Sequence, residues 1–435
     1  MASTPTSAAA KAVAKNATKF TAGRAAFQPR LSYEVSPNIP RSFYLGHHHA
    51  GLARMRQTLS TVGLIIECRD FRVPITSWNP LLEQSLAASS SPSERARIIV
   101  YTHRDLGPDA DVDRGDSPHG LPGVSSSSPA AAARHLRAFH LQNKHAVEVL
   151  FTGAGPSYRS PTGALLAAIK RVARERDNLT GLRALVVGMP NAGKSTLLNA
   201  LRRRSGIVKG SGTAAAPSAK VARTGANPGV TRKLSSPVRI VPPEGSAAAD
   251  GDPSLRGVGE GVFVVDTPGV FIPYVSDPEK MLKLALVGCV RDGILPRETL
   301  ADYLLYRLNL SNESSSGSGG EPDYVARLGM DAPTNDVTEF LEAVARRLGK
   351  LAKGGGANYD SAAEWAVQEW RRGGLGKMLL DEVTPETLAT AMEEARETAL
   401  SMNQARKRDK EARKARNEAK RLGISGANES DQQNR

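Results

Sequence analysis

Eight residues constrain this chain more than any others: Gly188–Ser195, which read G-M-P-N-A-G-K-S. They match G-x-x-x-x-G-K-[ST], the phosphate-binding loop. The apolar run Leu182–Val187 before them predicts a buried strand, and Thr196–Arg204 after them predicts a helix. That strand–loop–helix setting is the one the motif requires, and it argues against a chance glycine-rich turn. Gly188 and Gly193 let the backbone turn its N–H groups toward a phosphate chain. The helix N-terminus adds partial positive charge. Lys194 can reach the β- and γ-phosphates, and the Ser195 hydroxyl can bind Mg²⁺. Asn191, Ala192, Gly193, Lys194, Ser195 and Thr196 are therefore expected to bind the nucleotide.

Composition narrows the rest. With 435 residues there is room for two domains, or for one domain with extensions. A net charge of +14 points to a polyanionic partner, either a nucleic acid or an anionic membrane surface. Cys68 and Cys289 are the only cysteines, which argues against a disulfide framework or a zinc cluster. No apolar run reaches the length of a membrane span. Residues 1–33 contain no Asp or Glu and carry Lys11, Lys15, Lys19, Arg24 and Arg30. This composition predicts a mitochondrial transit peptide, with a basic RNA-binding arm as the alternative. The run His47–His49 is not read as a metal site, because three consecutive side chains cannot all face one ion in a regular element.

A phosphate loop alone does not choose between nucleotides, but the other motifs do. Val262–Val265 predicts a strand running into D-T-P-G at Asp266–Gly269. There Asp266 can hold Mg²⁺ through water, and the Gly269 amide can sense a γ-phosphate. Thr231, in T-G-A-N-P-G-V-T-R, lies between the two motifs and is placed to close on Mg²⁺ when triphosphate is bound. Arg97–Tyr101 predicts a strand ending in T-H-R-D. Asp105 can accept hydrogen bonds from guanine N1 and N2; Thr102 stands where Asn is usual, and the His103 ring replaces a lysine that packs along the base. Val147–Phe151 predicts a third strand, and the turn Thr152, Gly153, Ala154 after it can offer amides to the guanine oxygen. These base-reading turns precede the phosphate loop, whereas most GTPases run the other way. A circular permutation builds the same sheet in this order. It also leads D-T-P-G directly into the C-terminal helices, so a γ-phosphate contact can re-aim them.

Other elements follow from periodicity. Helices are expected at 51–61, 134–144, 164–174, 278–290, 297–308, 337–348, 364–372 and 385–399, and strands at 62–68 and 238–241. Arg69–Pro74 is read as a loop. Low-complexity insertions are placed near 107–133, 206–217 and 242–259, with a Ser/Gly linker at 311–321. Residues 406–421 hold nine Lys/Arg against three acidic residues, which marks a solvated or polyanion-binding helix. The expected organisation is a leader at 1–33, a nucleotide-binding domain at 34–310, a helical domain at 323–400 and a basic tail at 401–435.

The set resembles the circularly permuted ribosome-assembly GTPases. The resemblance rests on Gly46–His47, E-C-R-D-F-R-V-P at Glu67–Pro74, Asn79–Pro80, T-H-R-D, G-M-P-N-A-G-K-S, P-G-V-T-R, D-T-P-G and R-R-G-G-L-G at Arg371–Gly376, in that family's order. It spans roughly residues 40–380, and the ordered set is far more specific than any one motif. It implies a three-layer α/β GTPase domain with a mostly parallel sheet, followed by an α-helical domain. It also implies that GTP is hydrolysed to GDP with Mg²⁺. Val270 follows D-T-P-G where many GTPases carry Gln, so the resemblance assigns water positioning to His47; a surface or core histidine is the alternative. It further implies K⁺ bound partly by Asn191. The implied partners are the large mitochondrial ribosomal subunit and its rRNA, on the matrix side, with a peripheral contact at the inner membrane; no DNA partner is expected. Turnover is expected to be slow until the ribosome accelerates it. Two rivals stay open, a GTP-binding RNA scaffold that does not hydrolyse and an ATP-using enzyme, as does a relative that is not imported.

Overall fold

A computed structural model describes residues 27–36, 38–43, 46–88, 95–107, 129–154, 159–176, 180–205, 235–246, 253–315, 322–352, 354–396 and positions 404, 407, 410, 411 and 414. Side chains are placed at all of these except 46–50, 129, 159–160 and 312–315.

Six strands form one sheet: β1 (Leu64–Asp70), β2 (Ala96–Thr102), β3 (Glu148–Phe151), β4 (Leu182–Gly188), β5 (Val238–Val241) and β6 (Val262–Asp266). Their order across the sheet is β3-β2-β1-β4-β6-β5. All neighbours run parallel except β5, which pairs antiparallel with β6 at the edge. The phosphate-loop strand β4 is therefore central, flanked by β1 and by the strand that ends at Asp266. The carboxyl ends of β1, β2, β4 and β6 open on one side, where ligands bind in open α/β sheets.

Both faces of the sheet are covered, because parallel strands expose apolar residues on each side. On one face lie α1 (Gly46–Thr58), α2 (Pro80–Ala87) and α3 (Pro129–Gln142). Leu52, Met55, Leu81 and Leu82 pack there against Ile65, Leu185 and Val187. Leu136 packs against Ile99, Tyr101 and Phe151. The other face takes α4 (Arg159–Glu175) and α5 (Lys194–Arg204), with Leu165, Ile169, Leu197 and Leu201 against Leu64, Ile66, Ala184 and Val186. Asn79 caps α2 by accepting from the Leu81 amide at 3.0 Å, with Pro80 in the first turn.

Six further helices follow: α6 (Pro278–Leu286), α7 (Arg297–Ser315), α8 (Asp323–Leu328), α9 (Val337–Leu348), α10 (Tyr359–Arg371) and α11 (Pro385–Arg396). Asp277, Asp336 and Asn358 cap α6, α9 and α10 through side-chain bonds to backbone amides. Met281, Leu304, Phe340 and Trp370 from these helices join the same core as the sheet.

Several expectations need correction. Arg69 and Asp70 belong to β1, because their side chains are buried in ion pairs. The helix expected at 51–61 begins at Gly46 and closes in a 3-10 turn at Leu59–Thr61. The helix expected from 134 begins at Pro129, and α7 continues to Ser315, so the linker read from 311 starts later. The helical part is not confined to 323–400: α7 packs within it, while α11 packs on α2 and α3 of the nucleotide-binding part. Residues 27–33 belong to the folded protein, since Arg30 pairs with Asp302 at 2.6 Å and Tyr33 lies edge-on to Tyr303. The insertion residues 108–128 and 206–217, and most of the basic run 406–421, lie outside the described residues.

Candidate functional site

The phosphate loop is held open by backbone geometry. Gly188 has φ +145, and a Cβ there would press on the Cys68 carbonyl of the neighbouring strand. Asn191 (φ 56) and Gly193 (φ 74) are both left-handed, and Gly193 caps α5. Lys194, the first residue of α5, is buried and curls back to donate to Met189 O at 2.6 Å and Gly188 O at 3.3 Å. Burial pulls its pKa below the usual lysine value, against the pull of the Asp266 charge. Ser195 Oγ donates to Asp266 Oδ2 at 2.6 Å. Asp266 is itself buried, and its Oδ1 has no hydrogen-bond partner among the described residues. Burial raises its pKa, although Lys194 and Ser195 oppose this. A hydroxyl and a carboxylate converging on a phosphate loop form an oxygen donor set suited to a hard divalent cation. The orphaned Oδ1 fits the same use.

D-T-P-G closes on this loop from the other side. Gly269 lies so close to Pro190 that an added Cβ would sit 2.6 Å from its Cα. Thr267 Oγ1 donates to Val186 O at 2.7 Å, and Val270 N donates to Gly188 O at 3.2 Å. Val270 is a core residue beneath α1. Helix α1 reaches D-T-P-G through Gly51, whose Cβ position is 3.3 Å from Pro268. His47 lies one turn before Gly51 on α1; its side chain is outside the described residues. Thr231 also lies outside them, while Thr196 is exposed in the first turn of α5.

The base-reading turns meet at the carboxyl ends of β2 and β3. Arg104 N donates to Thr152 O at 2.9 Å, which joins the two turns. Asp105 sits in the 3-10 turn Arg104–Leu106, with Oδ1 buried and unpartnered among the described residues. Gly153 lies directly against it: a Cβ there would be 2.9 Å from Asp105 Cβ and Cγ. Ala154 follows, exposed. Two details add to the sequence reading. Thr102 Oγ1 lies 3.1 Å from both Ala192 O and Arg69 O, with one proton to share between them, so it ties β2 to the phosphate loop and to β1. His103, left-handed at φ 56, places Nδ1 3.1 Å from Asp70 Oδ2. Its ring is anchored at the mouth of the sheet by that contact. Asp70 is buried, which alone would raise its pKa, but Arg72 and His103 hold it well below the usual carboxylate range.

Sequence reasoning missed Asp70 and Arg371. Both stand inside quoted motifs, but His103, which Asp70 meets, and the 285–292 turn, which Arg371 meets, are distant in sequence. Asn191 Nδ2 donates to Gly288 O at 2.8 Å, which ties the phosphate loop to the turn after α6. Among the described residues, no group of three or more His, Cys, Asp or Glu could hold a metal, and no helix is long and apolar enough to cross a membrane.

Residues 183–296 match the family model described as 50S ribosome-binding GTPase. Mitochondrial GTPase 1 of Schizosaccharomyces japonicus is 33% identical over 360 residues, covering 79% of this chain and 91% of that protein. The chain belongs to the mitochondrial GTPase 1 family. Mitochondrial GTPase 1 of Schizosaccharomyces pombe is 30% identical, covering 82% of this chain and 94% of that protein. Mitochondrial ribosome-associated GTPase 1 of Xenopus tropicalis is 28% identical, covering 81% and 98%. Among solved structures, GNP-bound YlqF from T. maritima aligns over 76% of this chain and 97% of that one, with 19% identity and a TM-score of 0.40. The site is thus the guanine-nucleotide site of a GTPase domain in which strands β1–β3 precede the phosphate loop in the chain. The family-model match begins at Arg183, inside β4, and leaves those strands ahead of it.

Proposed function

We propose that this GTPase is a switch that assists assembly of the large mitochondrial ribosomal subunit, binding rRNA on the matrix side with a peripheral contact at the inner membrane. The observation that carries the hydrolytic reading is the convergence of Lys194, Ser195 and the orphaned Asp266 Oδ1 at one loop. Ser195, Asp266 and Thr231 would hold Mg²⁺, which when bound neutralises charge on the β- and γ-phosphate oxygens. Lys194 would leave its two loop carbonyls for those oxygens. Asn191 would contribute its amide oxygen to K⁺. Asp105 would read guanine, with amides of Thr152–Ala154 at the guanine oxygen. His47 would orient the attacking water; the approach of α1 to Pro268 supports this, because it brings that helix to the switch. Val270 is apolar and buried and cannot do so.

The ribosomal reading draws on the relatives' names, ribosome-associated and mitochondrial, and on the +14 charge, which suits rRNA and predicts salt-sensitive association. The lack of a glutamine after D-T-P-G supports slow turnover that a partner accelerates. The test is GTP turnover by protein beginning at residue 27, in K⁺ buffer, with and without large mitochondrial subunits. Slow turnover that rises with subunits, is lost in Lys194→Ala and is not competed by ATP is expected. Bound GTP with no turnover in either condition would replace this reading with a non-hydrolysing RNA scaffold.

A further inference from the structure

The end of α10 touches the nucleotide site at three places. First, Arg371 donates from Nε to Leu286 O at 2.8 Å and from Nη2 to Ala285 O at 2.7 Å, at the end of α6. Its Nη1 and Nη2 also hold Asp292 at 3.1 and 2.8 Å. The guanidinium thus clamps the turn 285–292, and its Cζ lies 3.4 Å from the Cβ position of Gly288. Gly288 O is the acceptor of Asn191 Nδ2 in the phosphate loop. Secondly, Gly373 (φ +85) packs on Leu106 Cδ2, 3.2 Å from its Cβ position, immediately after Asp105. Thirdly, Trp370 is buried beneath the Arg72 guanidinium, 5.2 Å from Cζ to ring centroid. Arg72 pairs with Asp70, and Asp70 with His103. Three residues within one four-residue stretch therefore reach the phosphate loop through Gly288, the guanine-reading turn at Leu106, and the end of β1 through Arg72.

We propose that Trp370–Gly373 is the point at which nucleotide occupancy is passed to the helical part of the protein, with Arg371 as a positioning residue that fixes Asn191 through Gly288. The geometry is suited to this. A clamp bonded to two carbonyls and one carboxylate has one well-defined arrangement, so any shift of Asn191 or Leu106 is met by α10 as a unit. Helix α10 in turn packs along α7 and α9. Its far side is tied to α7 by Arg297, which pairs with Asp360 and Glu364 at 3.3 Å, away from the nucleotide loops. Asn191 lies in the phosphate loop, one hydrogen bond from the clamped turn. Removing the guanidinium frees the Gly288 turn and loosens the Asn191 amide that is bonded to it.

This inference rests on the guanine-nucleotide reading of the site, and the experiment separates the two. Hydrogen exchange is followed in the full chain without nucleotide, with GDP and with a non-hydrolysable GTP analogue, for wild type, Arg371→Ala, Arg371→Lys and Arg297→Ala. In wild type, nucleotide is expected to slow exchange of the Gly373 and Gly374 amides about fivefold or more, the usual size of an allosteric coupling. These amides donate to Trp370 O and Glu369 O. Arg371→Ala is expected to abolish that response while still binding nucleotide, Arg371→Lys to recover part of it, and Arg297→Ala to keep it. The K⁺ concentration for half-maximal turnover should rise roughly tenfold in Arg371→Ala, the usual cost of losing a group that orients a ligand. In an Asn191→Ala background the same change should have no further effect on it. Wild-type protein that binds nucleotide with no change at 373–374 overturns the inference and leaves the GTPase reading standing. So does Arg371→Ala with a lowered melting temperature but a wild-type exchange response. Failure of wild type to bind guanine nucleotide overturns both.

Discussion

At the scale of single residues, the site turns on two carboxylates, each with one oxygen that has no hydrogen-bond partner among the described residues. Asp266 carries one. Burial raises its pKa above the ordinary 3.8, so it keeps its proton at a higher pH than a surface aspartate would. A protonated carboxyl does not hold a divalent cation. Mg²⁺-dependent nucleotide affinity in wild type should therefore fall as pH is lowered, with a midpoint above the ordinary value. In Asp266→Asn it should be lower by roughly 10–100-fold and lose that pH dependence. Binding of a fluorescent GDP analogue with and without Mg²⁺, from neutral pH downward, checks both. Asp105 carries the other such oxygen, and its neighbour sets the limit. A methyl at Gly153 would sit 2.9 Å from Asp105 Cβ and Cγ, closer than real Cβ contacts allow. Gly153→Ala must push the Asp105 turn away from its place. Guanine-nucleotide affinity should drop by about tenfold or more, with far-UV spectra unchanged, because the displaced turn lies outside the sheet. Equal affinity in the two proteins would remove Asp105 from the base-binding role.

At the scale of elements, what was legible in the sequence is what is local. The phosphate loop, D-T-P-G and the turns after β2 and β3 each follow a short apolar strand, and period and turn chemistry mark them without knowledge of partners. Strand β1 shows where this stops. Its sequence L-I-I-E-C-R-D places charges at Glu67, Arg69 and Asp70, yet every residue is buried. Local pattern reads the charged end as a loop. It is a strand because Arg97 of β2 and Glu83 of α2 complete a buried network with Glu67 and Arg69. None of those pairings is visible in the sequence around 67. Short helices such as α2 and α8 were missed for the same reason: a few turns carry too little periodicity, and tertiary packing stabilises them. The Glu67 network also sets acid stability. Burial alone would raise the pKa of Glu67, but Arg69 and Arg97 overcome this and hold it at about 2, below the ordinary 4.5. With the folded value depressed, its stabilisation is complete above the ordinary value and is lost as pH falls from there through about 2. Glu67→Gln leaves two buried guanidinium groups short of charge, so it should destabilise the protein at neutral pH by about 3–5 kcal/mol. It should also flatten the acid limb of the denaturation profile. Chemical denaturation of both proteins between pH 7 and 3 shows whether it does.

At the scale of the whole molecule, the first and last long described segments are built into the fold in a way that composition conceals. The permutation places β1–β3 first and sends the chain after D-T-P-G into α6–α10. Helix α11 then returns to cover Trp78 with Ala391 and Ala395 on the nucleotide-binding side. The two parts share one core, so nucleotide state has a short mechanical route to the helical part. The N-terminal side is joined in the same manner. Residues 1–33 have the composition of a leader as a block, yet Pro29 is buried, Arg30 pairs with Asp302 and lies over Tyr306, and Tyr33 packs on Tyr303. Asn335 Nδ2 also donates to Gln28 O at 2.9 Å. A leader that stops short of Phe27 preserves all of these contacts, whereas removal of the full block destroys them. The exposed part of the Arg30 pair is worth little, but the buried proline and half-buried tyrosine account for about 2–3 kcal/mol. Protein starting at residue 27 should therefore unfold at a higher denaturant concentration than protein starting at residue 34, by that difference at equal slope. The loss should be felt at α7, against which the segment lies. Two coincident denaturation curves would place the true start of the fold beyond Tyr33.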